Sequence, residues 1–109
     1  MSSTFAHHAS EFAGLPGGKL ADQETLSGVV IAAASAIGLN AFGPPTVRSG
    51  PHGVAVCLTC HGGHIAVHTV PELGVCFVDI VARPPAAVGR GIDVIARRLG
   101  ASGSRAGGG

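Results

Sequence analysis

Charge is scarce in this chain: Asp, Glu, Lys and Arg make up only 12% of its 109 residues, and the formal net charge is +1. With no basic stripe there is no electrostatic footprint for nucleic acid, so none is expected as a partner. Trp and Tyr are missing, and the composition leans on Gly, Ala and Val. So few charges at this size imply a stretch of apolar surface that meets a partner chain. No apolar run approaches the ~18 residues needed to cross a bilayer, so no membrane is expected either. The start, Met-Ser-Ser-Thr-Phe-Ala-His-His, has neither the basic end nor the apolar stretch of a secretory signal. A cytoplasmic protein is expected, with Cys57, Cys60 and Cys76 as reduced thiols.

The length suits one domain. Residues 1–4 and 102–109 are small and polar and are expected to be disordered, leaving 5–101 as a single domain. Asp22 can cap a helix that runs to about Ile37 and stops at Gly38. Its apolar line is Leu26, Val29, Val30, Ala33 and Ile37. A second helix is predicted to carry Pro84-Pro85 in its first turn and to stop at Gly100, burying Val88, Ile92, Ile95 and Leu99. Val- and Ile-rich runs at about 5–13, 42–48, 53–61, 64–70 and 75–82 read as strands. The order β-α-β-β-β-β-α predicts an α+β fold, an antiparallel sheet with two helices on one face. The second face must then bury itself elsewhere, most simply against another copy. That gives a homodimer of face-to-face sheets, an αββα sandwich.

Gly62-Gly63, between two strand-like runs, reads as a two-residue hairpin turn, because both central positions of such a turn favour positive φ. That register pairs His61 with His64, Thr59 with Ala66 and Cys57 with His68. Alternation puts Cys57, Thr59, His61, His64, Ala66 and His68 on one face, and Val56, Leu58, Cys60, Ile65 and Val67 beneath the helices. Facing side chains lie ~5 Å apart at Cβ. Cys57 beside His68 could be a nucleophile and its base, or a buried thiol packed on an imidazole. His61 and His64 at the turn are metal-ligand candidates, but two ligands fall short of a site and solvated histidines explain them equally. His64 and His68 lie ~13 Å apart along the strand, too far to share a metal. Cys57-Leu-Thr-Cys60-His61 also spells the c-type haem attachment. Opposed cysteine faces and the missing export signal argue against haem.

The run His64-Ile65-Ala66-Val67-His68-Thr69-Val70-Pro71-Glu72-Leu73-Gly74, closed by Asp79, resembles the core of the small bacterial S-adenosylmethionine decarboxylases. The similarity spans about residues 7–99 in element order and spacing. It implies protomers with helices on one side of a sheet, stacked through their bare faces, and a substrate near that interface. In that family a Glu-Ser pair is cut and the serine becomes a covalent pyruvoyl cofactor. The residue matching His68 assists this rearrangement, and the one matching Glu72 binds ribose hydroxyls.

Departures from the family fall on the chemistry. Gly63 stands where the pyruvoyl-forming serine would be, Gly62 replaces the Glu, and Ala55 replaces a serine that assists processing. Arg83 replaces a proton-donating cysteine, and arginine is no proton donor. Val70 replaces an aromatic that helps hold adenine. No pyruvoyl cofactor is therefore expected.

What survives is a pocket with His68, Thr69 and Glu72, in which Arg83 could clamp a carboxylate or phosphate or simply face water. The first reading is a cofactor-free enzyme acting on a small anionic or nucleoside-like ligand. His68 would be its acid or base and Cys57 a possible nucleophile, with Glu72, Arg83 and Thr69 binding. The second is a non-catalytic ligand-binding or regulatory member that pairs with an active decarboxylase paralogue in polyamine (spermidine) biosynthesis. The third is a metal-binding protein that uses the histidine face.

Overall fold

The computed structural model describes residues 4–101, so the terminal stretches 1–3 and 102–109, for which disorder was expected, lie outside the described residues. The elements run β1 (Ala6–Phe12), α1 (Gly17–Ala21), α2 (Gln23–Ile37), β2 (Thr46–Gly50), β3 (Gly53–Cys60), β4 (Gly63–Val70), a 3-10 turn (Pro71–Leu73), β5 (Val75–Ala82) and α3 (Val88–Leu99). The five strands form one antiparallel sheet in the order β1-β5-β4-β3-β2. This is the predicted α+β layout, with helices on one face.

Period-two alternation decides which face each side chain takes. Val54, Val56, Leu58 and Cys60 on β3, Ile65 and Val67 on β4, and Cys76, Val78, Ile80 and Ala82 on β5 are all buried on the helix side. Helix α2 lies over β3 and β4, while α3 lies over β1 and β5. They contribute Leu26, Val29, Val30, Ala33, Ala34 and Ile37 from α2, and Ile92, Ile95, Ala96 and Leu99 from α3. The Asp22 side chain accepts from the Thr25 N–H at 3.1 Å, satisfying a donor that the helix start leaves free.

Three local expectations are corrected. Helix α3 begins at Val88, not at the prolines. Both Arg83 and Pro84 precede a proline and are pushed out of the α region, so the helix waits until the pair has passed. Between β1 and α2 the chain makes the short helix α1, which no sequence period announces. The β3–β4 turn falls on His61-Gly62, because Cys60 pairs with Gly63. Relative to the predicted register, each β3 residue faces a partner two positions earlier on β4. A shift of two preserves every face assignment and changes every facing partner.

Candidate functional site

Helices leave one face of the sheet bare, and three rows of side chains cross it. The first is His7, Val81, His64 and Thr59; the second is Ala9, Asp79, Ala66, Cys57 and Thr46. The third is Glu11, Phe77, His68, Ala55 and Arg48. Ala66 is thus a small floor ringed by chemistry. Asp79 and Cys57 face it across the neighbouring strands, and His64 and His68 stand two residues away on its own strand. A ligand seated on Ala66 would meet all four.

Asp79 is the electrostatic centre of this face. Its Oδ1 contacts His7 Nε2, and its Oδ2 lies 3.3 Å from His64 Nε2. Burial pushes the Asp79 carboxyl up, but hydrogen bonds from His7 and His64, and then their charges, outweigh it and hold it below the ordinary value of 3.8. The Asp79 side chain is 25% exposed, against 59% for His7 and 41% for His64, so solvent and ligands reach both imidazoles. Sequence reasoning missed His7 and gave Asp79 no role. Alternation along β1 does put His7, Ala9 and Glu11 on the bare side, but the pairing that brings His7 to Asp79 spans 72 residues.

Cys57 and His68 do share the bare face, Cys57 half-buried and His68 exposed. They are not directly opposite, however: Cys57 faces Ala66, and His68 faces Ala55. The two are diagonal neighbours, roughly 7–8 Å apart, a spacing that a bound molecule could bridge but a hydrogen bond does not. Burial pushes the Cys76 thiol up to about 12 and, with a smaller push from Cys57, raises Cys60. Those two thiols lie beneath the helices as inert core residues. Cys57 and Cys60 lie on opposite faces, which removes the haem reading.

Thr69 does not belong with His68. It is 3% exposed on the helix side, where its hydroxyl donates to the Leu20 carbonyl at 2.7 Å and accepts from the Val54 N–H at 3.3 Å. Its hydroxyl ties α1 to the sheet.

Glu72 and Arg83 are also separated from each other. Arg83 follows β5 at the His61-Gly62 end, with its N–H bonded to the Gly62 carbonyl at 3.0 Å. Glu72 sits in the 3-10 turn at the opposite end of β4. The eight residues of β4 between them span roughly 23 Å, at about 3.3 Å per residue. Within one chain they cannot hold the same small ligand. Glu72 instead lines a cleft of about 280 Å³ with Ser49, His52 and Pro71, and neither Cys57, His68 nor Arg83 belongs to it.

The two metal candidates have different neighbours. His61 lies in the turn with its ring centroid 3.9 Å from that of Phe42, and His64 faces Thr59. Among the described residues, no group of three or more His, Cys, Asp or Glu has the spacing to hold a metal ion.

Gly63 is the position that the family resemblance matches to the pyruvoyl-forming serine. Gly63 has no side-chain oxygen, and a Cβ built there would meet the Val81 carbonyl oxygen at 2.1 Å and the Ala82 Cα at 2.9 Å. Backbone lies on that side, so nothing can swing away. The residues present do not fit a serine-derived pyruvoyl group.

A five-stranded antiparallel sheet, covered by helices on one side and lined with histidines on the other, defines the structural class. Within that class the chain belongs to the S-adenosylmethionine decarboxylase family, whose sequence profile matches residues 6–107. No curated protein sequence matches it. Among solved structures it is similar to the adenosylmethionine decarboxylase from Aquifex aeolicus VF5. The two are 23% identical, with a TM-score of 0.81 over 91% of this chain and 82% of that one. At that identity the likeness speaks for the fold alone.

Proposed function

We propose that this family member works without a pyruvoyl group, binding a small S-adenosyl, nucleoside-like or anionic substrate between two stacked sheets. One observation carries the reading: Gly63, in the family's serine position, has neither the oxygen that ester formation needs nor room for a Cβ. On the Ala66 floor, His68 and Cys57 are the acid–base and nucleophile candidates. Glu72 and Arg83 anchor the two ends of the ligand.

The separation of those anchors supports a homodimer. A two-fold axis near the middle of β4 would lay the Arg83 end of one protomer over the Glu72 end of its partner, completing two equivalent sites. Phe77, 39% exposed in the middle of the bare face, is the kind of aromatic that such stacking covers. The same separation favours the second reading, in which an active decarboxylase chain supplies the missing end and this chain binds or regulates without catalysis.

Light scattering together with a thermal-shift series tests this. The expected results are a dimer at micromolar concentration and a higher Tm with S-adenosylmethionine or its decarboxylated form, since a ligand that binds only the folded state stabilises it. A monodisperse monomer with no ligand response would refute the homodimeric enzyme. Response only after mixing with an active decarboxylase chain would select the second reading.

A further inference from the structure

The reading above gives acid–base work to His68, yet on the bare face the Asp79 carboxylate touches His7 and His64 instead. The layout is nearly symmetric. His7 on β1 and His64 on β4 both face Val81, and Asp79 stands two residues before Val81 on the strand between them. Each imidazole presents Nε2 to a different carboxylate oxygen. An ionised carboxylate only accepts hydrogen bonds, so a neutral imidazole in contact with it must carry its proton on the touching nitrogen. The other nitrogen is then the acceptor. A carboxylate that holds a histidine in one tautomer is the arrangement that fits an imidazole for proton transfer.

We propose that Asp79 locks His7 and His64 as a matched pair with protonated Nε2, making their two Nδ1 atoms the proton acceptors of the bare face. A ligand group that either nitrogen serves carries an N–H or O–H. Asp79 is the positioning residue. The site deepens the proposed function by moving its proton transfer away from His68, but its central test needs no ligand. Other ionisable groups on this face are Glu11 on β1, His68 on β4, Cys57 on β3, Arg48 on β2 and Arg83 beyond Val81. Glu11 and His68 lie one row past Asp79, and Cys57 lies across Ala66 from it.

The experiment is nitrogen NMR of the histidine rings in the full chain, in alkaline buffer where imidazoles are neutral. Both His7 and His64 should show the Nε2–H pattern. Asp79→Asn gives a sharper test, because an amide has one accepting oxygen and one donating nitrogen. One imidazole should keep Nε2–H, and the other should flip to Nδ1–H to accept from the new NH2 group. Asp79→Ala should release both. Alkylation with bromoacetate, in which the unprotonated ring nitrogen attacks the CH2 carbon and expels bromide, should mark Nδ1 of His7 and His64 in the native protein.

An Nδ1–H tautomer at either histidine in the native chain would overturn the proposal. So would ring patterns unmoved by Asp79→Asn. Binding of one equivalent of zinc by the native chain, lost in Asp79→Asn, would also overturn it by making the cluster a metal site. S-adenosylmethionine failing to shift the native Tm would count against the proposed function and leave this tautomer result standing.

Discussion

Restoring the family serine, Gly63→Ser, is expected to destabilise the protein without restoring self-cleavage. Gly63 is the first residue of β4 and sits between Cys60 on β3 and Ala82 on β5. The new Cβ would lie 2.1 Å from the Val81 carbonyl oxygen and 2.9 Å from the Ala82 Cα. Relief requires β4 and β5 to part at that end, which strains the ladder that holds Arg83 at the turn. Overpacking of this kind costs ~1–3 kcal/mol and occasionally more, and contact with backbone on one side puts Gly63→Ser at the upper end. For a domain of this size each kcal/mol lowers Tm by roughly 4–8 °C. The assay pairs urea and thermal melts with intact mass after prolonged incubation. Gly63→Ala is the control: it adds the same Cβ without a hydroxyl, so both variants should lose similar stability and both should remain one polypeptide. Two fragments from Gly63→Ser, one with a blocked N-terminus, would refute the reasoning. So would a melt indistinguishable from the native chain's. Adding Gly62→Glu should not rescue cleavage, because Gly62 sits at φ +82°, a conformation that a side chain resists.

Thr69→Val keeps the shape but removes the hydroxyl that bonds the Leu20 carbonyl and the Val54 N–H. The expected loss is ~1–3 kcal/mol in urea denaturation, with ligand-induced thermal shifts retained, whereas loss of ligand response at unchanged stability would return Thr69 to the binding site. Asp79 predicts an acid limb. Its folded value is depressed below the unfolded 3.8, so its contribution is present above the unfolded value and is lost as pH falls through the folded one. The stability gap between the native chain and Asp79→Asn should therefore close as pH falls through and below the unfolded 3.8, and parallel curves across that acid limb would contradict it.

Helix α2 was legible because its signals are local: Asp22 caps, Gly38 ends it in the left-handed conformation, and the apolar line between them has one period. Helix α1 was not, because a five-residue helix with two glycines exists only through what it packs on. Here that is the 3-10 turn, together with the Thr69 bond to Leu20. Thr69 was misplaced by grouping it with its neighbour His68 from the family resemblance, although adjacent residues on a strand take opposite faces.

The open face divides the same way. Alternation within each strand is a local property, and it correctly gathered Cys57, His64 and His68 on one side. Which of them touch is a matter of register, and Gly62 and Gly63 offer the same turn chemistry at two adjacent settings. Only long-range fit separates them: Gly62 takes the positive φ, while Gly63 lies against Val81, too close for any side chain. The contact that organises the face lies further still from local reach. His7 meets Asp79 because β5, last in sequence, inserts between β1 and β4, and nothing in either strand names its partner. That is why the sequence pointed to Cys57 and His68, neighbours across one hairpin, while the carboxylate that orients a proton was waiting between His7 and His64.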